Sequence, residues 1–296
     1  MTTTARFSLA VLMMLMIGAG FPRSAWAADP PGAATAAATT TAAAAAAAAV
    51  QDDDDDAALQ PAEPDFRVVN LPTTLRLSVH KGSFDLTHRF GGNLRRGSFS
   101  EQASRFFGID DGAAVGFEYR YGLMRRVQAI AYRTVINRTV QFSTKIDAVH
   151  QSGGTPLSLS AVVSIEGADN FQEQYSPGIA VSVSRMVGDV AAVYVVPAWV
   201  HNTAATIGND ANTGFVGIGA RIRLHGTTYL AVEGSPRVSG FKPGVNQYGF
   251  AIEKRAGGHM FQLNFTNGAG TTLAQVARGG QAQNLNLGFN LARKFF

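Results

Sequence analysis

The side chains with chemistry to offer fall on one phase of an alternating pattern. Arg89, Glu118, Arg120, Lys145, Asp147, Arg221, Arg223, Glu233, Glu253 and Arg255 each lie among polar residues that alternate with apolar ones. Charges of both signs at a period of two can meet across neighbouring strands and form ladders inside a closed sheet. Two chemistries follow. A lumen lined by such groups concentrates small anions. The same groups paired with one another make an ion-paired plug that stabilises a barrel and carries nothing. Setting aside Arg6, Arg23, Asp29 and Asp52–Asp56, basic groups outnumber acidic ones. That excess leans toward anionic solutes if the lumen is open, and part of it can instead meet lipopolysaccharide phosphates.

Other site chemistry fails on residue type or spacing. The chain has 0 cysteines, which removes disulfides, thiolate metal sites, cysteine nucleophiles and a lipidated cysteine. The 6 histidines are scattered without metal-ligand spacing, so no metal and no cofactor is expected. Asp52–Asp56 lacks the glycine turn and spaced ligands of a calcium loop. The glycine pairs at 91–92, 153–154, 257–258 and 279–280 mark turns, since no helix follows them in a phosphate-loop context. Basic residues are dispersed along strands, so nucleic acid is not an expected partner. His150-Gln151-Ser152 is the one candidate for a serine activated by a histidine, as in lipid hydrolases. No third group accompanies it, and the loop parity below puts it on the periplasmic side. The expectation is therefore that the protein is not an enzyme.

The elements that position these residues are strands. Val115, Phe117, Tyr119 and Tyr121 alternate with Gly116, Glu118 and Arg120. Val216, Ile218, Ala220, Ile222 and Leu224 alternate with Gly217, Gly219, Arg221 and Arg223, and Leu285, Leu287, Phe289 and Leu291 with Asn286, Gly288 and Asn290. Alternation at 180° per residue is the half-buried strand signal. It predicts strands at 82–90, 113–121, 127–135, 138–148, 157–166, 177–186, 190–201, 214–224, 227–235, 247–255, 259–267 and 284–295. From the fifth strand onward the connections alternate long and short, as in an up-and-down membrane barrel with long extracellular loops and short periplasmic turns. The turn at 136–137 departs from that parity.

Composition decides which face looks outward. Only 16% of residues are charged, against about 25% in soluble domains. The apolar phase carries Phe, Leu, Ile, Val and Tyr, which suit lipid, while Gly, Ser, Asn and Gln on the other phase suit a wet lumen. Aromatic residues such as Phe90, Tyr121, Trp199, Tyr248 and Phe295 fall near strand ends, where a membrane interface favours them. No later stretch is an unbroken apolar run long enough for a spanning helix, so a membrane-embedded chain must be a barrel. The fold class is all-β: a single antiparallel up-and-down transmembrane β-barrel of about twelve strands, over residues 66–296. Residues 1–27 read as a signal peptide, with Arg6, the apolar run Phe7 to Ile17 and the cleavage motif Ala25-Trp26-Ala27. Residues 28–65, rich in Ala, Thr and Asp, read as a disordered tail.

Two loops are candidates to narrow the lumen. In 91–112, Ser98 can cap a short helix closed by Gly108, and Arg105, Phe106 and Phe107 could fold inward as a constriction or pack on the rim. The loop 268–283, with the lone cation Arg278, could also fold inward.

A family resemblance covers about 66–296. It is carried by Asn70-Leu71-Pro72, Lys81-Gly82-Ser83-Phe84, Thr87-His88-Arg89-Phe90, Asn93-Leu94 and Gly116-Phe117-Glu118-Tyr119-Arg120-Tyr121. Asp147-Ala148-Val149-His150-Gln151, Ser235-Pro236-Arg237-Val238, the run from Lys242 to Gln247 and the run from Glu253 to His259 complete it. These stretches resemble bacterial proteins grouped as a β-barrel domain of unknown function. The resemblance implies the barrel and no reaction. The ending Arg293-Lys294-Phe295-Phe296 resembles the signal read by the outer-membrane assembly machinery, although the apolar register runs in phase with Phe295. The expected protein is an outer-membrane barrel, with membrane lipids, lipopolysaccharide and that machinery as partners. Its expected role is a passive channel or porin for small, weakly anionic solutes. A closed structural or interaction barrel is the alternative, and a lipid hydrolase the third.

Overall fold

The computed structural model describes residues 62–204 and 211–295. The leader expected at 1–27, residues 28–61 of the expected tail, and Phe296 lie outside the described residues. The strands are β1 Gly82–Phe90, β2 Ala113–Met124, β3 Val127–Thr134, β4 Val140–Val149, β5 Ser158–Gly167, β6 Glu173–Val187 and β7 Ala191–Val200. They continue as β8 Thr213–His225, β9 Thr228–Ser235, β10 Arg237–Gly240, β11 Gln247–Ala256, β12 His259–Thr266 and β13 Asn286–Phe295. Three short helices, α1 Phe99–Ser104, α2 Ala168–Phe171 and α3 Leu273–Arg278, sit in connections.

With β9 and β10 taken together, each strand pairs antiparallel with its chain neighbours, and β1 pairs with β13 from Gly82↔Phe295 to Arg89↔Gly288, which closes the sheet. β9 and β10 both pair with β8 and form one stave interrupted at Pro236. Proline lacks the N–H that would continue the ladder, but its carbonyl still accepts from the Val216 N–H at 2.9 Å. The wall is therefore a closed antiparallel up-and-down barrel of twelve staves.

Alternation sorts the two faces. In β7 the burial alternates strictly: Ala192, Tyr194, Val196, Ala198 and Val200 face in, and Val193, Val195, Pro197 and Trp199 face out. Phe84, Phe117, Tyr119, Phe142, Val163, Ile179, Ile218, Ile252, Phe261 and Leu263 are exposed on the outer phase of their strands. A continuous apolar exterior on a closed sheet is what hydrocarbon tolerates, because every interior backbone group is paired within the wall. Among the described residues no helix is long and apolar enough to cross a membrane.

The connections divide between two rims. Turns at 125–126, 188–190, 226–227 and 257–258, with the segment 150–157, form the short-turn rim, where β1 begins and β13 ends. The longer loops lie at the other rim, together with the short 3-10 turn Ile136–Arg138, which breaks the length rule without changing sides. In the 91–112 loop, Ser98 caps α1 through a capping box with Glu101.

Candidate functional site

The site is the barrel interior, and it is occupied. Residues 62–79 do not belong to the wall and are not a solvated tail. They enter at the short-turn rim, run inward, turn back at Val68–Leu71 and leave where β1 begins. The finger is a narrow hairpin: Arg67 bridges Pro72, the Val68 N–H donates to the Leu71 carbonyl at 2.9 Å, and the Thr73 N–H to the Phe66 carbonyl at 3.0 Å. Ala62 and Glu63 are each 1% exposed, so the expected solvated tail ends earlier than residue 65. The physical reason is local satisfaction: Glu63 accepts from the Thr74 N–H at 2.9 Å, and the Asp65 carbonyl accepts from the Thr73 hydroxyl at 2.7 Å.

A buried backbone must place all its polar groups, and here wall side chains serve in place of a partner strand. At the tip, the Glu233 carboxylate of β9 accepts from the N–H groups of Val69 at 3.0 Å, Asn70 at 2.9 Å and Leu71 at 3.0 Å, and from the Asn70 side-chain amide at 2.9 Å. Arg89 donates to the Asn70 side-chain oxygen at 3.0 Å, Asn290 to the Val69 carbonyl at 3.1 Å and Gln262 to the Val68 carbonyl at 2.7 Å. Arg221 donates to the Arg67 carbonyl, Ser182 to that of Pro72 at 2.9 Å, Lys145 to that of Leu75, and Lys294 to that of Pro64.

Apolar packing holds the same finger on one side. Val68, Val69 and Leu71 pack with Ala192, Tyr194, Val196, Val200 and Phe215 in a core inside the barrel. Gly217 of β8 makes room for the tip: a Cβ there would stand 2.5 Å from a Leu71 methyl carbon. The opposite side is charged. Arg67 pairs with Asp85 at 3.3 Å and with Glu118, donates to the Thr271 carbonyl at 3.2 Å, and lies over the Tyr132 ring. Burial works against the Arg67 charge, but the Glu118 and Asp85 carboxylates more than offset it and hold the guanidinium above its ordinary pKa. Burial pushes the Glu63 carboxyl up, against the charge of Lys145 and the Thr74 hydrogen bonds.

The long-loop side supplies a second piece. The 268–283 loop turns inward, with Thr271, Thr272, Ala274, Gln275, Val276 and Ala277 all buried. Thr272 caps α3 and also donates to Glu166, which pairs with Arg278 at 3.3 Å. The Thr271 hydroxyl meets that of Tyr132 at 2.6 Å. Finger and loop touch through Arg67 and Thr271. Between them and the wall lies a cavity of about 50 Å³, lined in part by Arg120, Ser143 and Lys145. That volume counts the space open to the centre of a water, of which each water needs about 10–15 Å³, so the cavity has room for a few waters.

Most of the charged residues expected at the lumen are buried on the inner phase of their strands, held in ion pairs and hydrogen bonds. Arg120 pairs with Glu118 at 2.8 Å, Lys145 with Asp147 at 3.1 Å, and Arg221 grips Glu253 with two hydrogen bonds at 2.7 and 3.0 Å. Arg89 is held by Asn70 and Asn290. Arg223 and Arg255 do not join them. Both lie part-exposed at the short-turn rim and donate to turn carbonyls, Arg223 to Gly226 at 2.6 Å and Arg255 to Gly257 at 3.4 Å. Their positions at the ends of β8 and β11 put the nearest acceptors in the turns.

The expected constriction at Arg105, Phe106 and Phe107 is not inside either. Phe106 is 65% exposed, Arg105 pairs with Asp111, and Phe107 stacks edge-on with Phe99. This loop stays on the rim because its contacts run to the ends of β1 and β13: Gly108 packs against Gly92, and the Leu94 N–H donates to the Leu285 carbonyl. Ser152 lies in an exposed turn of the short-turn rim, closed by backbone bonds to Thr155. Sequence reasoning missed Glu63, Arg67, Asp85, Glu166 and Lys294. Asp85 and Glu166 lie on the polar phase of their strands and were readable. The finger left one indirect signal, the apolar character of β7 at every position from Ala191 to Val200. A wall strand apolar on both faces needs something apolar inside the barrel.

A closed, lipid-facing antiparallel barrel filled from both mouths by its own chain is a membrane β-barrel with an internal plug. The chain belongs to the family described as membrane bound beta barrel domain (DUF5777), which matches residues 64–295 and so takes in the finger with the wall. No curated protein matches the chain. Among solved structures it is similar to the NanC porin, with 6% identity, 73% of this chain and 99% of that chain covered, and a TM-score of 0.47. It is also similar to a triple mutant of Rhodopseudomonas blastica porin, with 14% identity, 62% and 55% covered, and a TM-score of 0.34.

Proposed function

We propose that this protein is an outer-membrane barrel held shut by its own N-terminal finger, a closed structural or interaction barrel in its resting form and not an open porin. The observation that carries the reading is the finger tip on Glu233, with its backbone carbonyls taken up by wall side chains. The charged groups that could attract anions are spent on one another and on the finger, so they stabilise the filling and do not line a path. The rim asymmetry and the expected signal peptide support the outer membrane as its site. Full-length protein in a planar bilayer is expected to show no steady conductance. Steady ohmic current from folded full-length protein would sink the reading.

One observation favours a second reading, a channel that opens when the finger leaves. The finger forms no ladder with the wall, and the sheet closes without it. A variant lacking 62–79 is expected to conduct with an anion preference under this reading, and to stay silent or fail to fold under the first.

A further inference from the structure

The two rims differ in charge. On the long-loop rim, exposed acids stand among the cations: Arg105 pairs with Asp111 of its own loop, Arg138 pairs with Asp169 of a neighbouring loop at 2.5 Å, and Glu101, Asp110 and Glu173 are exposed. On the short-turn rim, Arg125, Arg126, Arg185, Lys254 and Arg293 are exposed and Arg223 is partly so. The exposed acid there, among the described residues, is Asp189. These cations are spread around the circumference, on the β2–β3 turn and on β6, β8, β11 and β13. Arg185, Lys254 and Arg293 sit on the outward phase of their strands, just beyond the apolar residues Val183, Ile252 and Leu291. Outward cations at the edge of an apolar band lie at headgroup depth, where long side chains reach phosphates.

The geometry points to a lipid-binding collar: the short-turn rim binds anionic phospholipid headgroups of the leaflet that borders it, through Arg125, Arg126, Arg185, Lys254 and Arg293. A ring of cations matches a planar sheet of phosphates on all sides. The acidic run Asp52–Asp56 is a rival occupant from the same chain, but six residues from Asp56 to Ala62 span at most about 20 Å, enough for one sector of the ring. Lipopolysaccharide is the less suitable phosphate source, because the short-turn rim of such barrels faces the periplasm. The collar does not depend on whether the lumen is plugged.

The test is urea unfolding of full-length protein in phosphatidylcholine vesicles, with and without phosphatidylglycerol, at low and high salt. Phosphatidylglycerol is expected to raise the folded-to-unfolded ratio by up to about five-fold per engaged cation, and salt to erase the gain. A variant with all five cations replaced by Gln is expected to keep its stability in phosphatidylcholine and lose the response, while the Arg→Lys versions R125K, R126K, R185K and R293K keep it. An equal response in the Gln variant, or no response in the unaltered protein, overturns the proposal. A response that appears only after Asp52–Asp56 are changed to Asn also overturns it, and assigns the collar to the acidic run. If the Gln variant does not fold, the salt dependence of the unaltered protein in the two lipids still decides.

Discussion

Replacing Glu233 with Ala should release the finger tip. In the docked state its carboxylate serves four N–H donors at 2.9–3.0 Å, three from consecutive backbone groups. Hydrogen bonds to a charged acceptor contribute about 1.5–3 kcal/mol each, and a buried donor left alone costs about 1–3 kcal/mol. These terms do not add fully, because water can enter the space left by the side chain. A net loss of about 3–5 kcal/mol in docking is a fair expectation. At 1.4 kcal/mol per tenfold, the undocked fraction should rise about two to four orders of magnitude. The chain has 0 cysteines, so a single Thr73→Cys change places one thiol at a position that is 0% exposed. The labelling rate of that thiol by a water-soluble maleimide reports undocking. The reasoning is refuted if T73C labels at the same rate with Glu233 present and with Glu233→Ala, in protein whose barrel remains folded by its heat-modifiable gel mobility.

Gly217→Ala should press on Leu71 and cost about 1–3 kcal/mol through overpacking, and Leu71→Ala in the same chain should recover part of it; additive effects on T73C labelling would deny the contact. Glu63 gives a pH dependence. Its carboxyl is raised by burial, so its contribution to docking is full below its ordinary value of 4.5 and is lost as pH rises through the raised value. The ratio of T73C labelling rates in the unaltered and E63Q backgrounds should therefore rise with pH above 4.5, and a flat ratio would remove Glu63 from the account. Under the second reading, in which a variant lacking 62–79 conducts, Phe106→Ser with Phe107→Ser should leave that conductance unchanged, since both rings lie outside the lumen; a larger single-channel current would place them in the path.

The wall was legible because each stave carries its own period. The observed β1, Gly82–Phe90, coincides with the expected 82–90, and β7, Ala191–Val200, lies within the expected 190–201. Hydrophobic alternation is a local property of a half-buried strand, and tertiary contacts reinforce it. The finger was not legible for the converse reason. Val68-Val69-Asn70-Leu71-Pro72 has neither strand alternation nor helical spacing, and its burial depends on Glu233, Gln262 and Asn290 far along the chain. For Arg105, Phe106 and Phe107 the sequence left the lumen and the rim open, because exposed aromatic rings invite a buried home. On a membrane protein a rim near lipid offers one. Arg89, Glu118, Arg120, Lys145, Asp147, Arg221 and Glu253 are buried on the inner phase while Arg223 and Arg255 lie at the rim, and period alone cannot reveal whether the partners of such groups are solutes, each other or another piece of the same chain.

The position of Lys294 ties the order of assembly to the final structure. From β13, the strand that closes the seam with β1, its ammonium reaches the Pro64 carbonyl and lies 5.0 Å from the centre of the Phe66 ring, at the root of the finger. The segment translated ahead of the wall is thus gripped by the strand translated after all the others. Until β13 arrives the finger lacks Lys294 and Asn290, and once β13 has sealed against β1 the side entrance is gone. Sealing the seam and completing the grip on the finger are therefore coupled, and an assembly intermediate that lacks only its final strand holds its stopper without Lys294 and Asn290.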